Sequence, residues 1–379
     1  MAIFAVNLIG TVFSSAINGL QRMEITNGIS IAYWSVNGVL MYTALVMGWG
    51  LRGLVAANAI ATAILVGCNA VFFFRVFSGI SFTKFRLRAG DIVDSLRFSK
   101  DIFIISISNS VHLHYDKLLL SSMVNLDSVS SYEVASRVIQ AMRQVVVLVL
   151  NPILPVASEL QAQDRIKSIT RLYYRGIKYL IVFCIPLFAF VGVLAGPLIN
   201  LWLGSGHELV VITLQLLLAA NVLNLLTGPA YFISIGVGKA RVAVIASVLG
   251  LVLNGVLSFV FLKSFGYLGL LLGTSLALAF EAVVFLSLFH RELKIDWKPF
   301  LRMFPQPLVA TALSVGCAIG VGSLLSSDWP KLVLMSLSAL VVYILAILFP
   351  SYFDDRDREF MKEIKVRVSN MLLPAVQKD

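Results

Sequence analysis

Eleven runs of mostly apolar residues, each close to the roughly 20 that a helix needs to cross a bilayer, constrain how this chain can fold. They fall at about 2–20, 27–48, 52–74, 101–124, 130–157, 176–200, 208–235, 241–262, 266–289, 305–326 and 330–350. Runs this long and unbroken lack the weak alternation of a transmembrane strand, so helices are expected rather than a barrel. Charged residues make up 13% of the chain and hydrophobic residues 59%. A soluble domain carries about 25% and about 45–50%. These figures exclude a soluble globule, a disordered chain, a coiled coil and a disulfide scaffold. The fold class is an all-α polytopic membrane protein.

The basic residues orient it. Of the 30 Lys and Arg, 24 fall in one set of alternate loops and in the C-terminal tail, 3 (Arg52, Lys263, Lys331) in the other set, and 3 (Lys117, Arg137, Arg143) within spans. The rich side is expected to be cytoplasmic, with the N-terminus outside and the C-terminus inside. The same split accounts for the net charge of +10 without nucleic acid as a partner, since basic loops face anionic headgroups. The first residues lack the basic start of a signal peptide, so the chain opens inside a hydrophobic helix. The cysteines (Cys68, Cys184, Cys317) sit inside apolar runs, spaced for neither metal nor disulfide, and read as buried filler. Four histidines form no ligand triad, and no metal or cofactor is expected. The sequence has no P-loop, no Gly-x-Ser-x-Gly and no His-Glu-x-x-His, so no enzyme is expected and no ATP coupling within the chain. Pumping would draw on a proton or sodium gradient, the membrane potential or the substrate's own gradient.

Two stretches repeat. One runs from Gly-Leu-Gln-Arg (19–22) through Asn-Gly-Val-Leu (37–40) and Gly-Leu-Arg-Gly-Leu (50–54) to Phe-Phe-Phe-Arg (72–75). The other runs from Gly-Val-Gly-Lys (236–239) through Asn-Gly-Val-Leu (254–257) and Gly-Tyr-Leu-Gly-Leu (266–270) to Leu-Phe-His-Arg (288–291). The first two landmarks are offset by 217 residues and the last two by 216. Parallel repeats of this kind are a transporter signature. Three helices precede the second copy and none the first. A symmetric protein would need about 120 more residues upstream, by extension of the repeat.

Charge inside a bilayer is costly and marks a partner or a water-filled path. In the fourth span Asn109, His112 and Asp116 share a helical face. In the fifth, Glu133, Arg137, Gln140 and Gln144 share another. A turn near Leu126-Asp127 would bring Asp116 level with Arg137, and the two are expected to pair. Arg143 lies deeper, with Glu133 or Glu281 as its acids, and a guanidinium there suits an anionic substrate such as a pyrophosphate. Asn37 and Asn254 occupy equivalent repeat positions and are expected to hydrogen-bond between helices. Pro152, Pro155, Pro186, Pro197 and Pro229 should break or kink spans.

The segment Asp116-Lys117-Leu-Leu-Leu, continuing through Tyr132-Glu133-Val134-Ala135-Ser-Arg137, resembles a stretch of the bacterial O-antigen and polysaccharide flippases. Asn151-Pro-Ile-Leu-Pro155-Val-Ala-Ser-Glu159 and the two Gly-x-x-Lys/Arg turns are similar to that family as well. It belongs to the multidrug/oligosaccharidyl-lipid/polysaccharide exporter superfamily. The resemblance implies a pseudo-twofold, two-lobed fold of fourteen helices, of which the eleven here would be helices 4–14. On that mapping residues 1–75 are the remainder of an N-terminal lobe and 76–100 a basic cytoplasmic linker. Residues 101–290 are a six-helix C-terminal lobe, 291–350 two additional helices and 351–379 a charged cytoplasmic tail.

The implied activity is flipping an undecaprenyl-pyrophosphate-linked oligosaccharide from the cytoplasmic to the outer leaflet of a bacterial inner membrane, by alternating access. The lipid-linked oligosaccharide is the implied partner, with polysaccharide polymerase and chain-length machinery beside it. Arg137, Arg143, Arg22, Lys239 and Arg241 are the candidates to hold the phosphates. Asp116, Glu133, Lys117 and Glu281 are the candidates for ion coupling or internal pairing. Two other readings compete: an ion-coupled drug exporter of the same superfamily, and a non-transporting fragment or scaffold. Embedded Arg matching embedded acid favours an anionic cargo over a drug. A membrane glycosyltransferase is disfavoured by the short external loops.

Overall fold

The computed structural model describes residues 2–20, 22–76, 89–325, 328–348 and 352. Apart from Tyr352, the tail read as 351–379 lies outside the described residues, as does most of the basic stretch before residue 89. Thirteen α-helices are present among the described residues, and no strand. The chain divides into two compact units, residues 1–92 and 93–379.

The first unit holds α1 (Ala2–Gly19), α2 (Met23–Val46) and α3 (Gly50–Val76). Small residues on α3 (Gly53, Ala57, Ala61) are buried together with Ala44 of α2 and Ile17 of α1. Short side chains let helices approach where lipid tails give no hydrophobic drive for association. The α2–α3 turn needs left-handed backbone at Gly48 and Gly50. The Thr26 hydroxyl donates to Asn18 Oδ1 at 2.6 Å. Cys68 is exposed, against expectation, while Cys184 in the second unit is buried.

The second unit holds α4 (Ala89–Met123), α5 (Leu126–Leu150), α6 (Ile153–Ala162), α7 (Ile166–Leu203), α8 (Glu208–Leu226), α9 (Gly228–Gly236), α10 (Arg241–Leu293), α11 (Trp297–Leu301), α12 (Pro305–Ser323) and α13 (Asp328–Leu348). Asn125 caps α5 by accepting from the Ser128 amide at 2.8 Å. Pro152 and Pro229 mark the breaks between α5 and α6 and between α8 and α9, where a missing N–H and a fixed φ interrupt the ladder. Pro186 and Pro197 instead lie inside an unbroken α7. That helix packs on α8, and the α12–α13 pair leans on it, with the Tyr343 hydroxyl donating to the Val182 carbonyl at 2.7 Å.

Helix α10 is two passes, not one. At Gly266 φ is 63° and ψ −147°, outside the helical region. Close approaches pair Phe261 with Gly269, Ser258 with Gly273 and Glu281 with Gly250, so the chain runs back along itself. Gly50 has the same left-handed φ at the equivalent repeat position, 216 residues earlier.

Eight helical segments among the described residues are long and apolar enough to cross a membrane, with Phe4–Gly19 a shorter apolar helix. Dividing Arg241–Leu293 at Gly266 and adding α4 gives the eleven passes expected from the sequence. α4 falls outside the eight because Asn109, His112, His114, Asp116 and Lys117 lower the hydropathy of its apolar run. The boundaries differ where helices outrun their apolar cores. α4 begins at Ala89 rather than 101 and α7 at Ile166 rather than 176, because polar and basic turns keep their backbone bonds while leaving the hydrocarbon. Large apolar side chains such as Leu148, Val149, Val283 and Leu345 stay exposed along the helices, as a lipid-facing surface requires.

The tightest helix crossing gives a test. A Cβ on Gly269 would sit 2.0 Å from the Phe261 carbonyl oxygen, which is fixed backbone. Gly269→Ala should cost about 1–3 kcal/mol through forced helix separation. Gly316→Ala, where a Cβ meets nothing within 4 Å, should cost nothing. Thermal unfolding of the detergent-solubilised chain distinguishes the two.

Candidate functional site

Two polar regions are built inside the apolar helices of the second unit, one sealed and one open. The sealed one centres on Asp116, which is 0% exposed. The Tyr132 hydroxyl of α5 donates to its Oδ2 at 2.7 Å, and Thr274 of α10 donates to the same oxygen at 2.7 Å. Asn254 Nδ2 reaches Oδ1 at 3.4 Å. The Ser258 hydroxyl lies between Asn254 Oδ1 at 3.0 Å and Thr274 at 3.1 Å, and donates to the former. Both arms of the α10 hairpin, α4 and α5 therefore meet at one carboxyl group. The Tyr115 hydroxyl adds a bond to the Gly255 carbonyl at 3.1 Å. A buried carboxyl is tolerated only when its oxygens are satisfied in this way.

Asp116 does not pair with Arg137, contrary to the expectation from depth along the hairpin. Glu133 takes Arg137, at 3.1 Å and one helical turn away, and also pairs with Lys117. The turn falls at 124–125 rather than at Leu126-Asp127, which sets Asp116 level with Tyr132 and Lys117 level with Glu133 and leaves Arg137 about one turn away, and rotation separates them further. Tyr132 and Ser136 point into the unit, whereas Glu133 and Arg137 sit one residue, or about 100°, around the helix. The Arg137 side chain is 73% exposed.

The open region is a pair of connected chambers of about 270 and 340 Å³. Both are lined by Asn109, Arg143, Asn224 and Glu281. The larger adds His112, Gln140, Gln144 and Asn221, together with Tyr132 and Thr274, so the two donors that seal Asp116 also form part of this chamber's wall. The smaller continues past Tyr231 and Ser247. Arg143 Nη1 donates to Asn221 Oδ1 at 2.8 Å and to Asn224 Oδ1 at 3.0 Å. These are its only hydrogen bonds to described residues, so Nε and Nη2 keep their donors for the cavity. Glu281 faces the same space.

The remaining candidates lie elsewhere. Lys239 pairs with Glu292 at 2.9 Å. Arg241 is exposed and opens α10 two residues before Ala243, which lines the smaller chamber. Arg22 belongs to the first unit, is exposed and pairs with Glu24 at 3.5 Å. Sequence reasoning passed over Asn221, Asn224, Tyr132 and Thr274. The first two carried a signal, being two amides three residues apart in an otherwise apolar span. Among the described residues no group of three or more His, Cys, Asp or Glu is placed to hold a metal.

A family model described as Lipid II flippase MurJ matches residues 102–343. The solved structure "Lipid II flippase MurJ, inward closed conformation" aligns with a TM-score of 0.60 at 15% identity, over 89% of this chain and 71% of that one. That likeness shows the helical fold. No curated protein matches the sequence.

The sealed network generates a prediction. Tyr132→Phe removes one of two short donors to a buried carboxyl and should destabilise the chain by about 1–3 kcal/mol. Thr274→Ser, which keeps the hydroxyl, should stay near wild type. Unfolding in detergent by denaturant reads both.

Proposed function

The chain belongs to the lipid II flippase MurJ family, and from that membership we propose that it carries a polyprenyl-pyrophosphate-linked saccharide from the cytoplasmic to the outer leaflet. The single observation that supports this cargo is Arg143. A guanidinium set among transmembrane helices, held from one side by two amides and open on the other, is arranged to receive an anion. Pyrophosphate matches its planar fork of donors. The saccharide needs the polar cavity while the polyprenyl chain stays in lipid, so the chambers need not be large enough for the whole molecule.

The family description points to the peptidoglycan precursor as the saccharide. The segment from Asp116 to Arg137, which resembles the polysaccharide flippases, favours an O-antigen, capsule or exopolysaccharide unit. Both carry the same lipid pyrophosphate, and the site addresses that shared part. The basic loops are read as cytoplasmic, which puts the C-terminus inside.

Alternating access needs an energy source. The Asp116 network is the candidate coupling element, because one carboxyl ties α4, α5 and both arms of α10 together. Changing its occupancy by a proton or a sodium ion would alter all three of its hydrogen bonds at once.

The test is the sidedness of lipid-linked saccharide in proteoliposomes holding the full chain, assayed with each lipid in turn. Arg143→Gln should slow translocation about ten- to a hundredfold, the loss of charge-assisted bonds worth roughly 1.5–3 kcal/mol. Asp116→Asn should leave pyrophosphate binding intact while removing the dependence of transport on an imposed ion gradient. Translocation of both lipids at wild-type rate by Arg143→Gln would defeat the assignment.

A further inference from the structure

Arg143 and Glu281 face the same cavity, yet neither holds the other. The guanidinium is bound through one nitrogen to Asn221 and Asn224. Glu281 makes no hydrogen bond or ion pair with a described residue. Its side chain lies instead against Gly250 on the opposite arm of the α10 hairpin. A Cβ built at 250 would stand 2.7 Å from Glu281 Oε2 and 2.8 Å from its Cβ. The absence of a side chain at 250 is what makes room for the carboxylate.

The internal repeat gives an independent view of this notch. With the offsets of 217 and 216, Gly250 corresponds to Tyr33 and Glu281 to Leu65. In the first copy the position is filled by a large ring whose hydroxyl donates to Asn58 at 3.3 Å, and the acid is replaced by an apolar side chain. Both halves of the arrangement differ together. The helical hairpin does not itself require a glycine there; the glycine accompanies the acid.

An uncompensated guanidinium inside a bilayer is costly, and two neutral amides supply dipoles but no charge. Glu281 across the cavity supplies the charge. It is also the group that an entering phosphate would meet as a rival. Resting on the lipid-pyrophosphate reading above, we infer that Glu281 is the displaceable counter-ion of Arg143. Parked in the Gly250 notch, it leaves Nε and Nη2 free to take a phosphate. When it leaves the notch it pairs with the guanidinium and expels the anion. Asn221 and Asn224 hold the arginine still through both steps. Glu281 thereby sets how tightly the cargo is held, and the Gly250 notch is its positioning device.

Binding of inorganic pyrophosphate to the full chain in detergent, followed by calorimetry, tests this. Removing the rival charge in Glu281→Gln should tighten binding about tenfold, the size of one charge interaction at partial screening, while slowing lipid translocation by delaying release. Gly250→Ala should act in the opposite direction, weakening binding severalfold by crowding the carboxylate out of its notch. Both effects should vanish in an Arg143→Gln background, and thermal unfolding of each variant separates them from misfolding. Binding that depends on Arg143 but is unchanged or weakened by Glu281→Gln overturns the counter-ion role and leaves the cargo reading standing. Binding that is absent, or indifferent to Arg143→Gln, overturns both.

Discussion

Everything in this molecule answers to the lack of water in the hydrocarbon layer. A polar group there must find its partner in the protein, and the cost of failing is several kcal/mol per group. The Asp116 network is the clearest response. One carboxyl group takes two hydroxyl donors at 2.7 Å and an amide at 3.4 Å, and those donors come from α5 and both arms of α10. The same rule shapes the backbone. Breaks at Pro152, Pro229 and Gly266 fall where helices change course. Close helix contact is bought with glycine at 269 and 273, where any side chain would strike the facing backbone.

The fold was legible in the sequence because its governing signal is one-dimensional. A bilayer selects apolar runs of a fixed length, and eleven could be marked directly, including the two passes joined through Gly266. The alternation of basic loops checked the count without any tertiary information. Boundaries were less legible. Helix α7 extends ten residues before its apolar run because Lys167, Arg171 and Arg175 stabilise no alternative structure and simply continue the ladder into the headgroups.

The site was legible in its residue types and not in its pairings. Asp116, Arg143 and Glu281 stand out in a sequence of apolar spans, and depth along each helix follows from counting only once the turn is placed, here at 124–125 rather than 126–127. Which of two neighbours faces inward does not. Glu133 and Tyr132 differ by one residue, and the structure gives the buried contact to the tyrosine. The partners of Arg143 were hidden for a different reason. Asn221 and Asn224 lie about eighty residues away on α8, and an uncharged amide carries little weight in a hydropathy reading.

The repeat explains why chemistry is concentrated where it is. Both copies keep the left-handed glycine at the turn between their last two helices and a buried asparagine at 37 and 254. The glycines serve the turn; of the two asparagines, Asn254 bonds across to Asp116 as expected, whereas the Asn37 side-chain oxygen meets no hydrogen-bond partner among the described residues. Among the positions that differ are Tyr33 and Leu65 in one copy and Gly250 and Glu281 in the other. A repeated scaffold can carry the acid in one copy and not in the other without losing its hairpin, since a ring at 33 occupies the position that Gly250 leaves open. The charge then remains only where a mobile anion makes it useful. An arginine that was permanently neutralised by its own acid would be cheaper to bury and would have nothing left with which to bind.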